Sequence, residues 1–471
     1  MTAATPVLDA IRAHARRHPA QPALLADRAG ATEAVSYAEL VARFEAGAER
    51  LRAAGLARGA RCGLVARQGA GFVEHALAIL AAGGCLVPIP DDATGPARER
   101  FADAAQLQHL VAEDDGFACR RWRGSLREEA EFRALDPAYL RFTSGTTSVR
   151  KGVVLSHARI AERLAAANAA LAIGPDDRIL WLLPMAHHFV VSILLYLRFG
   201  AAILLPATSL ARPVLEFAAR ERATVSYASP FHYSLLAKDA SGIALDLRLA
   251  ISTAEGLRAD IAAGFSARFG HPLVQALGII EVGLPVLNTA AAASKPTALG
   301  RPLPAYDVWL RDEDGKPMVG PGSPERTGEI CIRGPGLFDA YLSPWTPSAK
   351  LLEPDGFRTG DQGYFDSDGV LFLAGRRHNR INMAGMKFFS EEVEEVIARV
   401  RGVRECRVFA REHEKLGEIP VAEIVPDDPA HPPARGELIA ACRAALPAYK
   451  IPREFRIVDA LARTATGKVQ R

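Results

Sequence analysis

The sequence predicts an α/β protein. A large N-terminal domain of mainly parallel-sheet α/β subdomains is joined by a β subdomain, and a small α+β domain follows at the C-terminus. Three observations predict it. Short apolar runs alternate with amphipathic helical stretches up to Gly300, the pattern of a parallel sheet with helices on both faces. After Gly300, Pro and Gly become dense and short β-like runs replace that alternation. Beyond the basic run Arg376-Arg-His-Asn-Arg380, helix and strand patterns return on a smaller scale. At 471 residues the chain exceeds one ordinary domain. The expected division is 1–375, with the β subdomain from about 300, then a hinge at 376–380, then 381–471.

The elements follow in order. Ser36 and Glu39 form a capping box at a helix start. Leu40, Phe44, Ala48 and Leu51 then make one buried stripe. Residues 62–66 read as strand, 72–82 as helix and 86–90 as strand. The runs 139–142 and 153–155 read as strands either side of a loop. Ser156 caps the next helix, with Ile160, Leu164, Ala167 and Leu171 on one side. Strand-like runs at 179–183, 201–205, 224–228 and 249–252 alternate with helical segments. The β subdomain takes 306–310, 328–333 and 370–373. In the last domain, 391–401 reads as a helix with Val393, Val396, Ile397 and Val400 inward, closed by Gly402. Strands at 403–410, 419–425 and 455–458 and a helix around 438–446 complete it.

Composition excludes several classes. A net charge of +3 with balanced acids and bases gives no nucleic-acid footprint. The six Cys are scattered without a C-x-x-C, which argues against a zinc site or a disulfide framework and fits a reducing compartment. The N-terminus lacks a secretory apolar core. The longest apolar run, 76–90, is too short to span a bilayer and contains Gly-Gly and two Pro. A cytoplasmic protein with no membrane span is expected.

The loop Thr143-Ser-Gly-Thr-Thr-Ser-Val-Arg-Lys-Gly152 holds five hydroxyl side chains, two Gly and two cations. Small residues let the backbone approach an anion, and N–H groups, hydroxyls and a Lys then wrap phosphate oxygens. It is not a Walker loop, because Lys151 is followed by Gly152 and Val153.

This loop resembles the phosphate loop of the acyl-adenylate-forming superfamily, which includes acyl- and aryl-CoA synthetases and stand-alone adenylation enzymes. Ser148 and Arg150 are small departures from the usual Gly and Pro. Further blocks carry the resemblance along nearly the whole chain. Leu183-Pro-Met-Ala-His-His-Phe189 is similar to the segment whose His approaches the α-phosphate; Ser252-Thr-Ala-Glu-Gly-Leu257 is similar to the loop beside the adenine. Leu277-Gly-Ile-Ile-Glu281 aligns with the Tyr-Gly-x-Thr-Glu block, Leu277 and Ile280 replacing its aromatic and its Thr. Phe357-Arg-Thr-Gly-Asp361, Gly375-Arg376, Gly385-Met-Lys-Phe388 and Thr464-Ala-Thr-Gly-Lys468 are the remaining blocks.

The resemblance implies roles. Lys468 and His187 would be catalytic. Thr143, Ser144, Gly145, Thr146, Thr147, Lys151, Glu255, Asp361 and Arg376 would bind ATP, and Glu281 would ligate Mg²⁺. His188, Phe189, Ser192, Tyr227, Gly278, Ile279 and Ile280 would line the acid pocket. Gly385 would border the thiol tunnel, and His378 would stand at the hinge of a mobile C-terminal lid. The implied reaction has two steps: a small carboxylic acid and ATP give an acyl-adenylate and pyrophosphate, then a phosphopantetheine thiol displaces AMP. The thiol belongs to CoA or to a separate acyl carrier protein. His188 after the phosphate-contacting His, with Phe189 and flat aliphatic walls, favours an aromatic acid such as a hydroxybenzoate, and a resemblance to ligases that load hydroxybenzoate onto carrier proteins points the same way. A medium-chain fatty acid, or a non-catalytic relative that binds acid or nucleotide, are the alternatives.

Overall fold

A computed structural model describes residues 5–28, 30–91, 95–142, 151–352, 356–376, 379–383, 386–413, 416–463 and 469. The chain divides into two compact units, described separately. The first is Met1–Gly145, Val149–Asp307 and Ile332–Phe357; the second is Thr146–Ser148, Val308–Cys331 and Arg358–Arg471. The protein is mixed α/β with parallel sheets, as the alternation predicts. No helix among the described residues is long and apolar enough to cross a membrane.

Among the described residues, the first unit carries two large sheets. The nine-stranded one has at its centre Leu249–Ser252, Val225–Ala228, Arg178–Trp181, Ala202–Leu205 and Pro22–Arg28, all paired in parallel. Antiparallel pairs close its edges: Val274–Ile279 with Gly283–Leu287 at one end, Pro22–Arg28 with Ala31–Ser36 at the other. The eight-stranded sheet sets His109–Ala112, Arg61–Val65, Cys85–Ile89 and Pro137–Phe142 in parallel order and continues antiparallel through Gly152–Ser156. Its central strands Arg61–Val65 and Cys85–Ile89 are buried along their whole length, which is why they read as unbroken apolar runs.

Helix Tyr37–Ala53 begins with the expected capping box, and Leu40, Phe44, Ala48 and Leu51 are all buried. Ser156 caps His157–Leu171 by accepting from Arg159 N–H. The N-terminal helix Pro6–Arg17 and the hairpin Pro22–Arg28/Ala31–Ser36 were not read from the sequence.

The carboxylate of Asp177 anchors the strands that lead to the site. It accepts from Arg248 Nε (2.8 Å) and Nη2 (2.6 Å), Thr224 Oγ1 (2.8 Å) and the Gly174 N–H (2.9 Å). Burial alone would raise its pKa, but these donors outweigh burial and hold it below the usual carboxylate range. Asp177→Asn is expected to cost about 1–3 kcal/mol at neutral pH, because donors lose a charged acceptor. The unfolded chain binds this proton more readily than the folded one. The stabilisation is therefore present above the ordinary carboxylate pKa and is lost as pH falls through the lower folded value. Unfolding midpoints of the two proteins should converge below about pH 4.

In the second unit, Asp307–Arg311, Gly328–Arg333, Phe357–Phe365 and Leu371–Arg376 form a four-stranded sheet. Most of this sheet groups with the residues after 380. The C-terminal sheet orders Met386–Phe389, Arg380–Met383, Gly417–Pro426 and Val403–His413, with Glu454–Ile457 parallel to Gly417–Pro426. Helix Ser390–Ile397 ends short of the expected 401, since the chain turns through 398–402 to enter the next strand.

Candidate active site

Strand Pro137–Phe142 pairs with Gly152–Ser156 in antiparallel register, Phe142 opposite Gly152. The phosphate-loop stretch thus joins two adjacent strands; Thr143, Ser144, Gly145, Thr146 and Thr147 lie outside the described residues. Lys151 is exposed, its ammonium 4.8 Å from the centre of the Tyr341 ring. Side chains alternate along the strand. Leu140 and Phe142 enter an apolar core with Val154. Tyr139 and Arg141 take the other face, where Tyr139 Oη donates to the Ala186 carbonyl (3.3 Å) and Arg141 Nη1 donates to the His187 carbonyl.

His187 and His188 end the short helix Met185–His188, which runs into a π-turn, Phe189–Ile193. Such insertions are frequent at functional sites because they re-aim side chains. Ser192 is buried and donates to the His188 carbonyl at 2.6 Å, so it acts by fixing the turn. Phe189 is 0% exposed and meets Phe72 edge-on at 5.7 Å. Phe189, expected to offer a ring face to the acid, is thus enclosed by protein in this structure.

Other rings surround His188. Tyr227 stacks on Trp181, with centroids 5.2 Å apart and planes 9° from parallel. His188 stands edge-on to Trp181 at 6.0 Å and to Tyr227 at 6.3 Å, and Tyr196 closes the group at 6.2 and 6.3 Å. Trp181 and Tyr196 are buried and back these rings from the core, as their apolar surroundings in the sequence suggest. Trp181 Nε1 and Ser252 Oγ are buried with no hydrogen-bond partner. Burial pushes the Tyr227 phenol up to about 12, so it stays protonated.

Glu281 occupies the turn of the hairpin Val274–Ile279/Gly283–Leu287, in which Ile279 faces Gly283. Its carboxylate is buried, and Oε1 accepts from Tyr341 Oη at 3.0 Å. Burial raises its pKa despite that bond and the charges of Arg141 and Arg163. Arg163, also buried, clamps the turn: it donates to the carbonyls of Ile280 (2.8 Å) and Gly336 (2.9 Å). Burial lowers its pKa to about 10, still well above neutrality. A Cβ on Gly336 would sit 2.6 Å from the Arg163 Cβ, so this clamp needs glycine there. Gly278 is exposed, and Ile279 and Ile280 are half-buried on the same hairpin.

Glu255 is exposed on the loop after Leu249–Ser252. The preceding Ala254 has φ +76°, a strained conformation for a residue with a Cβ. Leu257 N–H donates to Gln275 Oε1 (2.5 Å) and ties this loop to the hairpin.

In the second unit, Asp361 lies opposite Arg376 in the register of two antiparallel strands. Asp361 N–H donates to Thr359 Oγ1 (3.1 Å), which donates to the Ile330 carbonyl (2.9 Å). Only the backbone of Arg376 is described. His378, Gly385 and Lys468 lie outside the described residues.

The donor set at Glu281 suits magnesium. A buried carboxylate is a hard oxygen donor, and among the described residues no cluster of three or more His, Cys, Asp or Glu side chains forms a closed cage. Such a site fits a cation that takes its other ligands from substrate phosphates and water.

The chain belongs to the AMP-binding enzyme family. That family matches residues 11–342, and its C-terminal domain matches residues 392–468. The class so defined is that of AMP-forming acid–thiol ligases. Feruloyl-CoA synthase of an Amycolatopsis species is 28% identical over 96% of this chain and 96% of its own length. The 3-hydroxybenzoate–CoA ligase of Aromatoleum sp. (strain CIB) is 30% identical over 71% of this chain and 65% of its own length. Across the relatives, the matched stretches span from 18% to 96% of their lengths. The solved structure of o-succinylbenzoate CoA synthetase from Bacillus subtilis, bound to its acyl-adenylate, shares the fold with a TM-score of 0.84. The two are 24% identical over 98% of this chain and 96% of that one.

Proposed function

We propose that this protein activates a small aromatic acid, a hydroxybenzoate or a close analogue, and passes it to a pantetheine thiol. The observation that carries the aromatic reading is the pair His188 and Tyr227, backed by the buried rings of Trp181 and Tyr196. Ring faces and edges favour a flat aromatic ligand. Trp181, Tyr196 and Tyr227 carry no charge at neutral pH to pair with a substrate's ammonium or second carboxylate. A phenolic hydroxyl would find His188, which donates or accepts.

In the first half-reaction the acid's carboxylate oxygen attacks the α-phosphorus of ATP. A new P–O bond forms as the bond to pyrophosphate breaks. The protein's task is positioning and charge neutralisation. The Tyr139 and Arg141 contacts fix the backbone of Ala186 and His187, which sets where His187 points. Arg163 holds the turn that presents Glu281. Lys151 and residues 143–147 would hold the terminal phosphates, and Glu255, Asp361 and Arg376 the nucleoside and its phosphate. A Mg²⁺ ion held by Glu281 would supply charge neutralisation on the phosphates. In the second half-reaction the C-terminal lid would turn about His378, bringing Gly385 to the adenylate. The thiolate attacks the acyl carbon and AMP leaves with the bonding pair. Relatives that are CoA ligases support CoA as the acceptor; a separate carrier protein is the other candidate, decided by supplying each thiol.

The test is acid-dependent ATP–pyrophosphate exchange with 3- and 4-hydroxybenzoate, benzoate and octanoate. Hydroxybenzoate is expected to lead, and His188→Ala to erase its advantage over benzoate. Octanoate ahead by tenfold, about 1.4 kcal/mol of transition-state preference, overturns the aromatic reading. An unchanged preference in His188→Ala keeps the ring and removes the hydroxyl contact.

A further inference from the structure

We propose that Arg141 is a phosphate-binding side chain of the nucleotide site, gripping an anionic oxygen of bound ATP opposite the cation held by Glu281. The inference rests on the ligase reading above and adds a residue that the motifs do not mark.

Arg141 lies two residues before the phosphate loop, on the strand face it shares with Tyr139, where both side chains meet the Ala186–His187 backbone. Leu140 and Phe142 do the packing from the other face. Among the described residues its guanidinium makes one hydrogen bond, from Nη1 to the His187 carbonyl, while Nε is buried without a partner. A buried N–H of a charged group left unmet costs free energy, so the position is expensive unless a ligand completes it. Arg141 and Glu281 are near enough for each charge to act on the other. Among the described residues, however, Glu281 Oε1 is taken by Tyr341, and no ion pair joins the carboxylate to Arg141. An oxyanion on the arginine, with its counter-cation on the glutamate, would satisfy both charges.

An oxyanion could come from the nucleotide or from the acid's carboxylate. The nucleotide is favoured because the strand runs directly into the phosphate loop, and because Lys151, across the strand pair, borders the same Tyr341 that orients Glu281.

The test is calorimetric binding of ATP, with Mg²⁺ and in EDTA, to wild type and to Arg141→Gln, Arg141→Met and Arg141→Lys. Gln and Met carry no charge; Lys keeps it. The expected result is at least a tenfold weaker ATP affinity in Gln and Met, in EDTA as well as with Mg²⁺, with most of it restored in Lys. Thermal unfolding of Gln and Met should be unchanged or higher, because a buried unmet charge has been removed. A purely structural arginine would instead lower the unfolding midpoint and leave ATP affinity in place. Wild-type ATP affinity in folded Gln or Met overturns the proposal. A loss seen only in acid binding, measured with benzoate and no nucleotide, also overturns it and assigns the anion to the acid. If wild type binds ATP but exchanges pyrophosphate with no acid, the ligase reading fails while Arg141 has still been tested. If wild type binds no ATP, both fail.

Discussion

Lys468→Ala is expected to abolish adenylate formation while sparing thioester formation from a supplied acyl-adenylate. In the first half-reaction negative charge builds on the α-phosphate as the acid's oxygen attacks. A lysine ammonium placed there stabilises the transition state more than the ground state. Removing one such preorganised donor typically costs about 10²–10³-fold in rate. Lys468 ends the stretch matched by the C-terminal family domain, within a unit separate from Glu281 and His187. If that unit turns between half-reactions, Lys468 is needed for one and absent from the other. The measurements are pyrophosphate exchange and thiol-dependent AMP release from a synthetic acyl-adenylate. Equal impairment of both would defeat the account in which the lid rotates.

The fold was legible where local chemistry and burial agree. The capping box at Ser36 and the stripe from Leu40 to Leu51 specify a helix whatever surrounds it. The strand Leu249–Ser252 was read to the residue because its apolar run is bounded by polar neighbours on both sides. The hairpin Pro22–Arg28/Ala31–Ser36 escaped because only one of its strands is buried; Ala31–Ser36 is largely exposed and lacks a clean alternation. At the site, Glu281 was legible as a carboxylate within a motif. The side chains that hold it were not. Arg163 lies 118 residues upstream on a helix face that reads as amphipathic, and its target is a set of carbonyls with no sequence signature. Phe189 runs in the opposite direction: an aromatic beside a catalytic segment reads as a pocket wall, yet in the structure it is fully buried and meets Phe72, more than a hundred residues away. Sequence reports which groups can do chemistry. Which of them are consumed by packing is decided by contacts between distant segments.

Glu281→Gln is expected to raise the Mg²⁺ concentration needed for pyrophosphate exchange by a large factor without unfolding the protein. Its amide oxygen can still accept from Tyr341 Oη, so the hairpin turn keeps its side-chain contact. The Arg163 clamp acts on main-chain carbonyls and is untouched. What is lost is charge. Residues that merely support a metal ligand carry about 10–100-fold in affinity, and the ligand itself is expected to exceed that, since an amide is a weak partner for a hard cation. The metal-free proteins should show the reverse order of stability. Burial disfavours the ionised carboxylate, raising its pKa, so ionisation costs the wild type stability as pH rises through the carboxylate range. The glutamine variant has no such cost, and its unfolding midpoint at neutral pH should equal or exceed that of wild type in EDTA. The two measurements separate the roles. A metal ligand shifts the Mg²⁺ titration and leaves the apo-protein at least as stable. A carboxylate kept for structure lowers the midpoint and leaves the titration where it was, which would remove Glu281 from the metal site.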